Sequence, residues 1–418
     1  MSKPSADSEW ALLLSPEAPY PLAGGGAIRT ASMLHFLAAR YRVHLVSFRV
    51  EHQEGSGVEW PPGTVTRVDW VSLPHHGRSS ARRAARNAAR LARGVLPLSD
   101  RFSTPDARRQ LSAALDGRRY GVAVVEHFWC ASCLPLLRRH ARSVAINLHN
   151  IESALHHGCA ASEPAPARWA HRAFAAIAAR QEREWLPRFD LVLAASEADR
   201  RRVLVRAPGT PVEVYENAIP LRTVPPVEEQ HCIAFSGNLE YHPNTSAVRY
   251  FARRIWPQLR RAAPELRWRI IGKNDWAVRS WTAADPRIER TGPVDDALAE
   301  LARARVVVVP LLTGSGTRVK ILEAWAAGRA VVSTSVGAEG LPAVDGENLL
   351  IADAPGQFVA AVQRLLGDSD LRRRLGEAGR RLVEQRLCWP AVWEKLDKVF
   401  AQLGPAASGA PRLAGRIN

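Results

Sequence analysis

Four consecutive valines, Val306, Val307, Val308 and Val309, constrain this chain more than any other feature. A β-branched run that is apolar on both sides fits a strand covered on both faces, the setting of a parallel sheet. The residues that follow, PLLTGSGTRVKILEAWAAGRAVVS, hold a loop at 311–317 and a helical pattern at 318–327. Gly328 then stands where a helix ends, and a second apolar strand occupies 330–333. This is one strand–loop–helix–strand unit of an α/β fold. Its loop leads to a helix N-terminus, where free N–H groups and the helix dipole favour an anion such as phosphate. Lys320 and Glu323 are three apart and share one face of that helix. A cation beside a phosphate and a carboxylate within reach of sugar hydroxyls suit a nucleotide sugar; the same spacing also describes an ordinary exposed ion pair. The P-loop pattern is absent, and Gly314-Ser315-Gly316 supplies only two of the three glycines of a dinucleotide fingerprint.

The same alternation runs along the chain twice. A strand at 10–14 enters a Pro- and Gly-rich loop containing Gly24, Gly25 and Gly26, followed by a helix at 28–40 and a strand at 43–48. Three glycines there permit a ligand to approach the backbone, or serve as a plain flexible turn. Strands at 65–73, 122–125 and 144–148 follow. The last two lead to Glu126-His127-Phe128-Trp129 and His149-Asn150-Ile151-Glu152, and ligands of doubly wound sheets sit beyond the carboxyl ends of the strands. His149 can donate to a sugar hydroxyl, act as acid or base, or cap the strand structurally. An Ala-rich helix at 165–186, a strand at 191–194, a helix capped by Ser196 and a strand at 212–215 complete this half.

In the second half, strands at 232–235, 268–271 and 288–292 lead into the valine unit, with a helix at 244–262 after the first. Helices at 355–366, 370–386 and 390–403 close it. The expected organisation is an N-terminal Rossmann-like domain at 1–220, a linker at 221–230 and a C-terminal Rossmann-like domain at 231–385. A helix at 386–403 returns towards the first domain, and a disordered tail occupies 404–418.

Composition bounds the partners. The net charge of +16 rests on arginine, because only Lys3, Lys273, Lys320, Lys395 and Lys398 are lysine. A lysine at 320 is therefore informative in itself. The charge divides into +9 for 1–220 (29 basic, 20 acidic) and +7 for the remainder (28 basic, 21 acidic), so neither half is a basic arm. Between Gly77 and Gly94 lie six arginines, beginning at Arg78, with no acid from Asp69 to Asp100. Arg82, Arg86, Arg90 and Arg93 share a helical face that suits an anionic membrane surface, or only water. No aromatic residues are interleaved with them, which disfavours nucleic acid.

The N-terminus lacks the pattern of a secretory signal, and no apolar run is long enough to span a membrane. The expected location is the cytoplasm, at most peripheral to the inner membrane face. Five cysteines, odd and sparse, argue for reduced thiols. Cys130-Ala-Ser-Cys133 looks like a thioredoxin motif but lacks a thioredoxin-sized domain, and one CxxC offers only two of four zinc ligands.

Five motifs carry a resemblance. They are Gly24-Gly25-Gly26, His149-Asn150-x-Glu152, Glu216-Asn217-Ala218-Ile219, Phe235-Ser236-Gly237-Asn238 and the string GSGTRVKILEAWAAGRAVV. Together they resemble the family 4 glycosyltransferases of the GT-B fold, in the subgroup with GSGTR, over Leu12 to about Leu403. The resemblance implies an α/β protein of two Rossmann-like doubly wound domains facing a cleft. It implies a retaining, hexosyltransferase-type enzyme that takes a nucleotide-diphosphate sugar, needs no bound metal or other cofactor, and serves bacterial polysaccharide or glycoconjugate assembly. The acceptor would be a saccharide or a lipid-linked sugar.

By resemblance Glu323 accepts from the ribose hydroxyls, while Arg318, Lys320 and the backbone of Gly314, Ser315, Gly316 and Thr317 hold the diphosphate. Gly24, Gly25 and Gly26 approach from the other domain, and His149 contacts the transferred sugar. Asn150, Asn217, Gly237 and Asn238 would line the same substrate cleft. Two departures stand out. Many members carry a Glu where this chain has Ser315, and the usual Arg and Lys of the second domain are replaced by Gly237-Asn238-Leu239-Glu240. The phosphate charge then falls to Arg318 and Lys320. A non-catalytic basic binding protein and a sugar-nucleotide epimerase on the same scaffold are the alternatives.

Overall fold

A computed structural model describes residues 9–22, 24–50, 58–74, 80–224, 227–314 and 319–403. They form two α/β domains, each built on a parallel sheet. The first sheet contains β1 (Trp10–Ser15), β2 (Arg42–Val50), β3 (Arg67–Leu73), β4 (Tyr120–Glu126), β5 (Ala141–Asn147), β6 (Leu191–Ala194) and β7 (Val212–Val214), in the order β3-β2-β1-β4-β5-β6-β7. The second contains β8 (Gln230–Ser236), β9 (Arg267–Ile271), β10 (Ile288–Gly292), β11 (Ala304–Val309), β12 (Ala330–Ser333) and β13 (Leu350–Ile351), in the order β10-β9-β8-β11-β12-β13. The order reverses between β1 and β4 and again between β8 and β11, so a crevice opens at the carboxyl ends of both pairs.

Burial explains the strand sequences. Along β1, Ala11 and Leu13 enter one apolar core while Leu12 and Leu14 enter a second on the opposite face. Val306 to Val309 are fully buried, as a strand covered on both sides requires.

Seven helices matter below: α1 (Gly25–Ala38), α2 (Ser80–Arg93), α3 (Glu152–Ser162), α4 (Ala167–Trp185), α5 (His242–Tyr250), α6 (Val319–Ala326) and α7 (Trp389–Gln402). α5 continues through a π-turn, Phe251–Ile255, into a further helix, Trp256–Ala262. α7 follows the second domain in sequence yet packs on the first. Trp393 Nε1 donates to Ser32 Oγ at 3.1 Å, Phe400 meets Phe36 edge-on, and Lys395 pairs with Glu216 at 2.7 Å.

Several local expectations change. α1 begins within the glycines rather than at 28, so Gly25 and Gly26 belong to its first turn. α3 was not expected; His156-His157-Gly158 interrupts any apolar period, and the helix instead packs along α4. The basic face of α2 is not a continuous exposed stripe. Arg90 is buried and donates to Asp100 at 2.9 and 3.0 Å and to Asn87 at 3.2 Å, because the chain turns back beneath the helix and brings Asp100 to it. Arg78 and the tail at 404–418 lie outside the described residues. Cys130 and Cys133 sit buried in a short 3₁₀ turn, Phe128–Cys133, where burial pushes the Cys133 thiol up to about 12, the opposite of a redox-active cysteine. Among the described residues no helix is long and apolar enough to cross a membrane.

Candidate active site

The first domain's wall is built around α1. Gly24 turns the chain into the helix at φ 111°, a left-handed conformation that favours glycine. Gly25 faces the second domain: a Cβ there would lie 3.1 Å from Cγ2 of Val319, the first described residue of α6. Gly26 faces two imidazoles, and a Cβ there would lie 3.8 Å from both His127 Nε2 and His149 Nδ1. The three glycines therefore turn the chain, admit the other domain and open a path to the histidines.

Behind Gly26 lies a buried polar network. His149 Nε2 is 2.5 Å from Glu126 Oε2 at the end of β4. Glu126 also accepts from Asn147 Nδ2 at 3.0 Å and from Thr30 Oγ1 at 3.2 Å. Asn147 Oδ1 in turn accepts from Arg29 Nε and Nη2 at 2.9 and 2.6 Å. Arg29 also donates from Nη1 to the Tyr215 carbonyl and to Asn217 Oδ1, both at 2.7 Å. Burial raises Glu126 above the usual carboxylate range despite Asn147, Arg29, His127 and Thr30, and it holds His149 and His127 well below the usual imidazole range. His127 has φ 64° and stacks on His149 at 3.5 Å and on Trp129 at 4.4 Å between ring centroids. The His149 imidazole is thus packed on one face by His127 and held at Nε2 by Glu126, with Nδ1 towards Gly26.

The second domain's wall is α6 and the loops after β8 and β9. Lys320 Nζ donates to Asn244 Oδ1 at 2.6 Å and to the Ser236 carbonyl at 3.0 Å, and it lies 4.3 Å from the Phe235 ring centroid. Gly237, at φ 148°, lets this happen: a Cβ would lie 2.7 Å from Asn244 Nδ2 and 3.1 Å from Lys320 Nζ. Asn238 holds the loop, accepting from Asn274 Nδ2 at 2.9 Å and from the Glu240 N–H at 3.2 Å. Glu323 sits one turn beyond Lys320, where burial pushes it up to about 7 against Lys320, Arg222 and the Ser236 hydroxyl.

The structure thus brings Gly24, Gly25, Gly26 and His149 opposite the start of α6, with Lys320, Glu323, Gly237 and Asn238 on the facing side. Gly314 ends the described part of its loop, and Ser315, Gly316, Thr317 and Arg318 lie outside the described residues. Asn150 is half-buried directly after His149. Asn217 is buried, with its Oδ1 accepting from Arg29. Sequence reasoning missed Arg29, Asn147 and Asn244. Arg29 carried one signal, a charge inside the otherwise apolar face of α1. Chemically, the helix start and Lys320 can hold an anion, Glu323 can accept from hydroxyls, and an imidazole backed by a carboxylate can meet a sugar hydroxyl.

Residues 230–368 match the family described as glycosyl transferases group 1. No curated protein matches the chain in sequence. Among solved structures, sucrose-phosphate synthase from Thermosynechococcus elongatus superposes with a TM-score of 0.73 at 17% identity, covering 95% of this chain and 99% of that one. Anabaena HepE, solved with UDP and glucose, gives 0.62 at 12% identity over 93% of this chain and 99% of its own. An S. aureus TarM variant solved with fondaparinux, alpha-GlcNAc-glycerol and UDP gives 0.65 at 10% identity over 94% and 99%. At these identities the likeness shows the GT-B fold, and the family match is confined to the second domain.

Proposed function

We propose that this protein is a retaining, family 4-like glycosyltransferase that moves a hexose from a nucleotide-diphosphate sugar to a saccharide or lipid-linked acceptor, in bacterial polysaccharide or glycoconjugate assembly. The observation that carries the reading is the meeting of the two walls. Gly25 approaches Val319 at the start of α6, which sets Lys320 and Glu323 across from the His149–Glu126 pair. The nucleotide diphosphate lies along α6, with the ribose on Glu323 and the diphosphate on Lys320, the helix start and Arg318. As the glycosidic bond breaks, negative charge develops on the leaving phosphate oxygen, and Lys320 supplies the countercharge. His149 meets a hydroxyl of the transferred sugar, its orientation fixed by Glu126. Lysine and helix dipole supply the positive charge, so the reading calls for no bound metal. UDP in the HepE and TarM complexes makes a uridine nucleotide the first donor to try.

The test is incubation with a panel of nucleotide sugars, reading free nucleotide diphosphate and a glycosylated acceptor. Turnover of one donor supports the reading. Release of nothing from any donor, with or without saccharide and lipid-phosphate acceptors, sinks it.

A further inference from the structure

A second cluster of titratable side chains, none of them used in the proposed reaction, lies where the two domains meet. Cys159 on α3, His171 on α4 and His242 at the start of α5 place one ligand atom each within 4.8 Å of one another. Cys159 Sγ is 3.4 Å from His242 Nδ1. The other nitrogen of His242, Nε2, is 2.8 Å from Glu163 Oε1, and Arg249 donates to that same oxygen at 2.9 Å. A carboxylate on the far nitrogen fixes ring orientation and raises basicity, the arrangement that supports metal-ligating histidines. His156 Nδ1 lies 3.0 Å from His171 Nδ1. With one ring carrying its proton on Nδ1 and the other on Nε2 this is an ordinary hydrogen bond, which leaves His156 beside the cluster as a support for the His171 ring.

We propose that Cys159, His171 and His242 bind Zn²⁺, with a water as fourth ligand. One thiolate with imidazoles selects a borderline-soft, tetrahedral ion. Ligand atoms around tetrahedral zinc lie roughly 3.3–3.7 Å apart, so the Cys159–His242 edge is already at that spacing and small side-chain rotations draw in the rest. On binding, the Cys159 thiol proton passes to solvent as the Zn–S bond forms. Cys159 is buried while both histidines are partly exposed, which gives the ion a route in.

The site spans the domains: Cys159 and His171 belong to the first and His242 to the second. It is also coupled to the donor wall. α5 carries both His242 and Asn244, the residue that receives Lys320. Gly158, beside Cys159, packs so closely on Thr313 that a Cβ would collide with its hydroxyl. Zinc would therefore act as a clamp that fixes the relative placement of the two walls, and the proposal stands independently of which donor the protein uses.

Full-length, chelator-treated protein titrated with Co²⁺ tests it, followed by displacement with Zn²⁺. The expected result is one Co²⁺ per chain, with tetrahedral visible bands and a thiolate-to-cobalt band that C159S abolishes. H171A and H242A should each weaken binding by at least tenfold. Zn²⁺ should also slow amide exchange in α5 and at 311–314 in the wild type and not in H242A. A thiolate band that survives C159S would assign the ion to another cysteine and overturn the proposal. So would affinity unchanged in H242A, a partly exposed position that tolerates alanine if C159S does not fold.

Discussion

Glu323→Gln separates function from stability within one side chain. Burial pushes the Glu323 carboxyl from 4.5 to about 7, with Lys320, Arg222 and Ser236 pulling the other way. A folded-state value above the unfolded one means that the folded protein binds the proton more tightly. This contribution is complete below the unfolded value and is lost as pH rises through about 7. The gap between 4.5 and about 7 corresponds to roughly 3 kcal/mol of destabilisation once Glu323 is ionised in the native state. Glutamine keeps the shape without the charge. The variant should therefore be more stable than wild type by roughly 3 kcal/mol above pH 8, with the difference shrinking towards zero below about pH 4. Urea unfolding of the second domain at the two pH values reads this directly. On the proposed function the same change removes a charged acceptor for the ribose hydroxyls, worth roughly 1.5–3 kcal/mol or about a 10- to 100-fold loss in kcat/KM. More stability with less activity is the signature of a carboxylate kept for its chemistry. A variant less stable than wild type at high pH, or one that turns over donor as fast, refutes the reasoning.

Three further outcomes follow from the first domain. Arg29→Ala leaves Asn147, Asn217 and the Tyr215 carbonyl without their buried donor. It should cost roughly 3–5 kcal/mol and lower that domain's thermal midpoint by about 10 °C, and Arg29→Lys should not restore the forked geometry. On the proposed function, in which His149 meets the transferred sugar, His149→Asn should reduce kcat by about 100-fold with donor KM little changed; a KM effect alone would move His149 to the nucleotide side. If α2 contacts a membrane, wild type should float with anionic liposomes at low salt and sink when Arg82, Arg86 and Arg93 are all replaced by Ser; flotation unaffected by those changes removes α2 from the contact.

The sheets were legible because their strands are long apolar runs that a one-residue period cannot disguise. The valines of β11 and the Leu12–Leu14 run of β1 are apolar on both faces and are buried on both. The helix ended by Gly328 was equally legible, since that glycine takes φ 68° there. α3 was hidden because its helix is stabilised by packing on α4 rather than by an apolar period of its own. In the site, Gly24 to Gly26, Lys320, Glu323 and His149 stood out by residue type and position. Arg29 did not: it is one of 52 arginines, 57 basic residues less five lysines. Only the fold reveals that it ties α1 to β5 and to the loop after β7. Arg90 misled for the same reason, since helical spacing cannot show that Asp100 lies beneath it.

The central claim is that the start of α6 holds a diphosphate through Lys320. Calorimetric titration of UDP, GDP, ADP and dTDP, each beside its nucleoside, into wild type and Lys320→Ala tests it most directly. One nucleotide diphosphate should bind wild type far more tightly than its nucleoside and lose at least tenfold in affinity in Lys320→Ala, while nucleoside binding is unchanged. Equal affinity of the diphosphate for both proteins, or no preference for the diphosphate over the nucleoside, would contradict it.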